Sequence, residues 1–565
     1  MAVRKSVVSE NEKVRVFALG GLDEDGKNMY VVEAGQDIYV IEAGIKFPET
    51  KESLGIECIV PDFSYLIENK SRIAGIFITH GHDDVMGGLT YLLKQINADI
   101  YSSPFTAKII SRLLRKEKIT GSHVHTLHED KPICVGSHKI EVFPITHDYP
   151  GTYGIAIETG QGYVVYSGEF IQDSDSLSEY YRGDYIKCAE IGNKGVFILL
   201  QESKGVERNG YTAPAHRIGP SMATLLEKNE DRRIFVSAYT QNVFWLQEIL
   251  RTCVKFGRKM ILYTDDLKEM VRDLQSFGFE VGDEHFLPTS MISEVKDVIV
   301  IIGGQGKAVF QLMSNISNNE VSNVHFTNED IICIASPVLP GIEKEFKQME
   351  NDVYKNDGEI VNLYMNAIRM HPSKFDLKLM ISLMNPKYYI PVKGAYRHLY
   401  MNGELAMDVG FKPSNIVLLD NGQVATFENK KLKSCSMELE LHDSLIDGKE
   451  NWDMAGVVLK DRETLSTDGV MILAIGIDSF TKKIINGPDV QTRGLIYLKD
   501  AEYITTDVAK IMEETIEEAV KNGSYENLTT RQEIREKVSR YLIKTIAKKP
   551  MILPVILEIN TNNIV

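Results

Sequence analysis

Tryptophan, cysteine and long apolar runs are what this 565-residue sequence has least of. There are two tryptophans and six cysteines, the latter at positions 58, 134, 188, 253, 333 and 435 with no Cys-x-x-Cys pair. That spacing excludes a zinc knuckle and a disulfide scaffold. The longest apolar runs, such as Val298–Ile302 and Ile331–Ala335, fall far short of the ~18 residues of a membrane span. Met1–Lys13 is polar and lacks the apolar stretch of a secretory signal. A cytoplasmic protein without membrane contact is therefore expected. Basic residues are also in deficit: 63 Lys and Arg stand against 79 Asp and Glu, a net charge of −16. A protein that simply coats nucleic acid is basic, so that class is excluded. An enzyme with a local basic channel is not. The sequence holds no internal repeat and no low-complexity tract. With 43% hydrophobic and 25% charged residues it has an ordinary globular composition. Its length suits three or four domains with full cores.

Short apolar segments broken by Gly and Asp turns read as strands at Val14–Leu19, Met29–Glu33, Ile38–Glu42 and Ile73–Thr79. Leu89–Ile96 has helical periodicity. This strand-rich start followed by βα units predicts an α/β sandwich. Residues 211–370 alternate more regularly: helix Ile218–Lys228, strand Arg233–Ala238, helix Val243–Phe256, strand Lys259–Tyr263. That is the pattern of a βαβ insert. The first style resumes at Tyr388–Val392. A third section begins near Leu445. It has a strand at Val470–Ile477 and two amphipathic helices, Thr506–Lys521 and Thr530–Lys548. A capping box, Thr530-x-x-Glu533, marks the start of the second helix.

The most informative stretch is Ile78-Thr79-His80-Gly81-His82-Asp83-Asp84-Val85-Met86-Gly87-Gly88. A strand delivers His80 and His82 to a loop, and a glycine pair opens a helix. Imidazoles and a carboxylate at i, i+2 and i+4 suit zinc or manganese. Spacing alone leaves metal binding and plain surface histidines both open; the strand-loop-helix context favours the metal. His123, His125 and His128 alternate on a segment best read as solvated. Gly303-Gly304-Gln305-Gly306-Lys307 lacks the ending and spacing of a Walker loop and reads as a tight turn.

The stretch around His80 resembles the His-x-His-x-Asp-His motif of the metallo-β-lactamase fold, with Val85 in the last position. The resemblance then extends along nearly the whole chain to the ribonuclease J family. It is carried by Leu19-Gly20-Gly21, Glu42-Ala43-Gly44, Ile59-Val60-Pro61-Asp62, Tyr166-Ser167-Gly168-Glu169-Phe170, Tyr389-Ile390-Pro391-Val392 and Gln491-Thr492-Arg493-Gly494. It implies an α/β architecture: a metallo-β-lactamase αββα sandwich, an inserted β-CASP domain and a small α+β C-terminal domain. The expected boundaries are 11–210 and 372–444 for the two parts of the core, 211–371 for the insert, 445–462 for a linker and 463–565 for the C-terminal domain. The resemblance also implies that a second chain, as well as the local sheet, covers the two C-terminal helices.

In that family two zinc or manganese ions activate a water against the phosphodiester of RNA. The resemblance carries the metal ligands onto His80, His82, Asp84, His147 and Glu169, and two further histidine positions onto Val85 and Lys393. It carries catalytic groups onto Asp84, Glu202 and His371, vestigial or weak here. Substrate-binding positions fall on Ser237, His371 and the loop Ala367-Ile368-Arg369-Met370, where the family's hydroxyl and glycine donors are gone and Arg369 remains to pair with phosphate. The first site keeps three imidazoles and a carboxylate, a chemically sufficient set. The longer Glu169 is expected to displace its oxygens by about a bond length, beyond the ~0.5 Å tolerance of a working site. The second site keeps Asp84 alone, because Val85 offers no ligand and a protonated lysine has no lone pair. The expectation is at most one zinc or manganese ion per chain. In the alternative there is none, and the histidines only hydrogen-bond in a polar pocket. The implied function is RNA decay and 5′-end maturation, as a weak or non-catalytic subunit of an active ribonuclease J paralogue. The alternative is a weak single-metal 5′→3′ exoribonuclease or an endonuclease. Implied partners are RNA, the active paralogue, a second copy in a homodimer and an RNA-degradation complex. A β-lactamase-like hydrolase of small substrates is disfavoured by the insert and the C-terminal section.

Overall fold

The computed structural model describes residues 9, 11–48, 55–175, 178–279, 281–447, 451–453, 457–495 and 502–560. The chain divides into two compact units, with the boundary between Ile446 and Asp447.

In the first unit two sheets face each other. The strand Val14–Gly20 pairs antiparallel with Met29–Ala34 on one side and with Gln423–Glu428 on the other. Residues about four hundred positions apart thus close one sheet, with Val14 opposite Phe427. That sheet continues through Asp37–Ile41, Ile73–Ile78, Ile100–Ser102 and Val124–Thr126. The second sheet runs Tyr388–Val392, Val196–Glu202, Gly162–Tyr166, Tyr153–Thr159, His138–Pro144, Ile133–Val135. Val16, Tyr30, Val32 and Tyr39 of the first sheet pack with Ile155, Ile157, Val164 and Tyr166 of the second in one buried core. Period-two alternation on each strand supplies those inward faces. The outer face of the second sheet is covered by helices Tyr185–Gly195 and Lys374–Met384, through Cys188, Ile191, Leu377 and Ile381. Helix Pro104–Lys116 lies against Ile100–Ser102 and Val124–Thr126 of the first. The result is the expected αββα sandwich.

The insert carries its own five-stranded parallel sheet, in the order Met260–Leu262, Ile299–Gly304, Ile234–Tyr239, Ile331–Ile334, Glu359–Asn362. Parallel strands covered on both faces are apolar throughout, and the central strand Ile234–Tyr239 is buried along its whole length. Gly306, at φ +50°, turns the chain from the strand Ile299–Gly304 into helix Lys307–Ser317, as the glycine-rich turn requires.

The second unit holds the strand Val470–Asp478, parallel to Met551–Ile559 and antiparallel to Ile484–Arg493. Helices Glu502–Lys521 and Asn527–Ile546 cover one face. Val508, Met512, Ile516, Ile534, Val538 and Leu542 are fully buried there, with Met471, Leu473 and Ile475 of the sheet in the same cluster. The unit's own sheet therefore covers the apolar stripes, so they give no reason for a second chain. The second helix also begins a turn earlier than Thr530. Asn527 is its first residue, Glu526 holds the extended cap conformation, and Thr529 Oγ1 donates to Glu526 Oε2 at 2.6 Å. Thr530 lies inside the helix and is buried, so the Thr530–Glu533 box is not the start signal. Helix Val457–Thr467 occupies part of the segment expected as a linker, and 448–450 and 454–456 of that segment lie outside the described residues.

One buried carboxylate joins the insert to the sandwich. Asp376 accepts the backbone N–H of Gln172 (2.9 Å), Thr212 (2.9 Å) and Ser373 (2.8 Å). These belong to the core, to the start of the insert and to the chain just after it. Leaving a buried donor unpaired costs about 1–3 kcal/mol. Asp376→Ala orphans three. A loss of about 3 kcal/mol or more is expected from urea unfolding; a loss below about 1 kcal/mol would show that the junction does not depend on this side chain.

Candidate metal and nuclease site

The strand Ile73–Ile78 runs into Thr79, whose N–H and hydroxyl both donate to the buried Glu42 carboxylate, at 3.2 and 2.6 Å. Thr79 Oγ1 also lies 2.8 Å from His80 Nδ1. His80 Nε2, on the other side of the ring, is buried and has no hydrogen-bond partner. His147 is set the same way from the other side. Its Nδ1 donates to the carbonyl of Met370 at 3.0 Å, and its Nε2 is buried without a partner. Hydrogen bonds at one ring nitrogen decide which tautomer a ligand histidine presents.

Glu169 stands between the two rings, Oε1 3.7 Å from His80 Nε2 and Oε2 3.6 Å from His147 Nε2. His82 completes the group, with ring centroids 4.4 Å from His80 and 5.3 Å from His147. Ligand atoms of His80, His82, His147 and Glu169 all lie within 4.8 Å of one another. Two orphaned imidazole nitrogens and a carboxylate are a donor set that fits a divalent ion. A bound ion would supply Lewis-acid polarisation of a phosphoryl oxygen. Glu169, with its extra methylene, keeps its carboxylate within this group. Burial pushes His80 well below the usual imidazole value and His147 down to about 4. Both rings are therefore neutral at physiological pH. For His82 burial acts in the same direction, but the Asp148 and Asp84 carboxylates outweigh it and hold its value up.

The adjoining position is filled differently. After the strand Tyr388–Val392 the chain turns left-handed at Lys393, φ +57°. Its N–H donates to the Gly21 carbonyl at 3.1 Å, and its carbonyl accepts from Ser203 N at 3.2 Å. This places a completely buried ammonium 2.7 Å from Asp84 Oδ2 and in contact with Glu169 Oε1. Burial alone would raise Asp84; the Lys393 ammonium instead holds it well below the usual carboxylate range. Val85 is buried and offers no donor atom. The residues here do not fit a second divalent ion.

Glu202 and His371 form a second pair, with Glu202 Oε2 3.0 Å from His371 Nδ1 and Oε1 accepting from Phe170 N at 2.9 Å. Burial drives Glu202 well up and His371 well down. Glu169 Oε2 lies 3.5 Å from the same His371 nitrogen, which links this pair to the histidine cluster. The structure thus brings together His80, His82, Asp84, His147, Glu169, Glu202, His371 and Lys393. Met370 joins them through its carbonyl. Ala367 and Ile368 spend their N–H groups on the carbonyls of Tyr364 and Ala215. Arg369 leaves its side chain half-buried while its carbonyl accepts from Arg208 at 3.1 Å. Ser237 lies within the insert sheet; its oxygen accepts from Ala335 and Ser336 N at 3.1 and 3.2 Å, away from the histidines. His125 pairs with Asp99 at 3.0 Å on the surface.

Sequence reasoning missed Glu42, Asp148, Arg208 and Gln241. Asp148 Oδ1 lies 3.1 Å from both His82 and His147 Nε2, without hydrogen-bond alignment to either. Gln241 reaches from the insert to Asp83 at 2.9 Å, and its carbonyl lies 3.2 Å from His82 Nε2. Asp148, adjacent to His147, and Glu42, in the Glu42-Ala43-Gly44 stretch, carried a local signal but were given no role.

Three domain families match this chain: a β-lactamase superfamily domain over residues 61–190, the ribonuclease J β-CASP domain over 231–353 and the ribonuclease J C-terminal domain over 457–559. Ribonuclease J2 of Bacillus subtilis (strain 168) is 30% identical over 554 residues, 97% of this chain and 99% of the relative. Ribonuclease J 2 of Staphylococcus aureus (strain NCTC 8325 / PS 47) is 30% identical over 562 residues, 98% and 100% of the two chains. The chain belongs to the ribonuclease J family. A crystal structure of a protein of unknown function from Enterococcus faecalis V583 is similar in fold alone, at 18% identity and a TM-score of 0.52, covering 74% of this chain and 100% of that one. Within the ribonuclease J framework the sandwich is the metallo-β-lactamase domain and the five-stranded insert the β-CASP domain. Among the described residues no helix is long and apolar enough to cross a membrane.

Two measurements test this geometry. Removing one partner of a buried ion pair costs about 3–5 kcal/mol. Lys393→Ala is expected to lower unfolding stability by about that amount, and a loss under about 1 kcal/mol would mean the ammonium is dispensable. For pH, the unfolded chain protonates His147 near 6.5 and the folded chain only near 4. The unfolded state therefore binds more protons in this window, and stability present above pH 6.5 is lost as pH falls toward 4. The melting temperature should fall across that window and fall less in His147→Leu; an equally steep decline in the variant would exclude His147 as a source.

Proposed function

We propose that this ribonuclease J paralogue serves RNA decay and the 5′-end maturation of ribosomal and messenger RNA as a weak or non-catalytic subunit that supports an active ribonuclease J partner. The observation that carries the reading is Lys393, whose ammonium rests on Asp84 and Glu169 beside a donorless Val85. A two-metal phosphodiesterase needs cations on both the attacking and the leaving oxygen, and here one position is taken by a fixed side chain. The chain holds at most one zinc or manganese ion, on His80, His82, His147 and Glu169. The names of the relatives, ribonuclease J2 and J 2, fit a second family member working beside a first. The protein acts in the cytoplasm as a homodimer and within an RNA-degradation complex.

A second reading is a feeble single-metal 5′→3′ exoribonuclease. It is favoured by the orphaned Nε2 atoms of His80 and His147 on either side of Glu169.

One set of assays separates the two. Elemental analysis of purified protein is expected to find no more than one divalent ion per chain. Losing a metal removes several kcal/mol of transition-state stabilisation, and each 1.36 kcal/mol is tenfold. Turnover of 5′-monophosphate RNA should therefore lie at least about a thousandfold below an intact homologue. Mixed with the active paralogue, a His80→Ala/His82→Ala double variant should bind and stimulate like the unmodified chain. Two bound ions, or a near-normal rate abolished by His82→Ala, would overturn the subunit reading. Stimulation lost while the complex still forms would favour the weak nuclease.

A further inference from the structure

Lys393 fastens two chain segments through its backbone. Its N–H holds the Gly21 carbonyl, and its carbonyl holds Ser203 N. The first segment continues as Asp23-Glu24-Asp25, and the second reaches Lys204 one residue later. The acidic turn is pinned along its course. Asp23 Oδ1 accepts from Tyr396 N at 2.7 Å, and Asn28 Nδ2 donates to the Asp84 carbonyl at 2.8 Å. Glu24 is occupied by Gly21 N, Asn421 and Lys27. Asp25 is the carboxylate of the turn that meets Lys204, Oδ1 2.6 Å from Nζ.

A second ammonium thus stands beside the histidine cluster, and it differs from the first. Lys393 is completely buried between Asp84 and Glu169, whereas the side chain of Lys204 is 16% exposed and that of Asp25 53%. Among the described residues Asp25 is the one partner of Lys204 Nζ, and an ammonium has three donors. The charge of Lys204 is felt at the site. At His371 it adds to burial in disfavouring the imidazolium, and at Glu202 it counters burial alongside the Phe170 N–H. A partly exposed ion pair adds little to stability and is readily exchanged; a fully buried one is not.

We propose that Lys204 binds a phosphate group at this site and that Asp25 masks it. A phosphate oxygen, a strong charge-assisted acceptor, takes the place of the Asp25 carboxylate, which turns to solvent. No covalent bond changes. With Lys393 locked in its pair, Lys204 is the ammonium able to follow a ligand. The phosphate comes either from the backbone of an RNA strand or as free inorganic phosphate. The first source rests on the RNA reading above, and the second does not.

The test uses the full chain and equilibrium binding of inorganic phosphate and of a 5′-hydroxyl oligo(U). The variants are Lys204→Met, Asp25→Asn and the two combined; none alters a metal ligand. Lys204→Met should weaken binding about tenfold, the scale of one hydrogen bond to a charged group. For oligo(U) it should also reduce the slope of log affinity against log salt by about one. Asp25→Asn should tighten binding about threefold, the scale of a partly exposed ion pair, and only while Lys204 is present. The double variant should match Lys204→Met. Lys204→Arg, which keeps the charge, should retain binding where Lys204→Met loses it; equal losses in both would make the effect one of packing and overturn the assignment. If both ligands follow this pattern, the phosphate is that of RNA. If inorganic phosphate follows it and oligo(U) does not bind, the site takes free phosphate and the RNA reading fails. If oligo(U) binds equally well in every variant and phosphate is indifferent, the Lys204 assignment is overturned while the RNA reading stands. Equal tightening by Asp25→Asn with and without Lys204 would make Asp25 a general repulsive charge and overturn the masking. Absence of binding by either ligand overturns the whole proposal.

Discussion

The ammonium of Lys393 is the constraint on which the centre of this molecule depends. Asp84 and Glu169 follow strands of two different sheets of the sandwich, Ile73–Ile78 and Gly162–Tyr166. Carboxylates so placed repel one another and resist desolvation. A buried cation between Asp84 and Glu169 resolves this locally, and a left-handed backbone at Lys393 delivers it. Pairing is essential to such an arrangement: a buried charge is tolerated only when its partner is present.

The β-CASP insert completes the site instead of merely framing it. The ring of His80 is held by the sandwich, through Thr79. The tautomer of His147 is set through the carbonyl of Met370, at the end of the insert. Gln241 reaches back to hold Asp83 and approach His82. Asp376 fastens both ends of the insert to the core. A displacement of the insert would therefore release His147 and His82 together while leaving His80 in place.

The strands of the sandwich were legible because they are short, nearly continuously buried apolar runs bounded by Gly and Asp turns, and the insert because its parallel strands are continuously apolar. The His80–Gly88 stretch was legible because a strand, a loop and a glycine pair are local features. The partners of Lys393 were not, since its contacts to Asp84 and Glu169 span hundreds of residues. The roles of Glu42, Gln241 and Arg208 were not legible for the same reason: each acts through a contact made only when distant segments meet. The Thr530–Glu533 box shows the opposite failure. A local pattern was present, but packing of the helix on its sheet carried the helix one turn further back.

These arrangements make the two halves of the metal site separable. The first half is preorganised by hydrogen bonds that do not involve Asp84 or Lys393: Thr79 to His80, and His147 to Met370. In the second half a tethered ammonium stands against Asp84 and Glu169. A divalent ion there would neutralise Asp84 and Glu169 and also offer open coordination positions to a substrate oxygen. The ammonium performs the first task and spends its donors doing so. The fold thus supplies, with a side chain of its own, the charge balance that Asp84 and Glu169 need. His80 and His147 are held independently of that pairing, through Thr79 and the Met370 carbonyl.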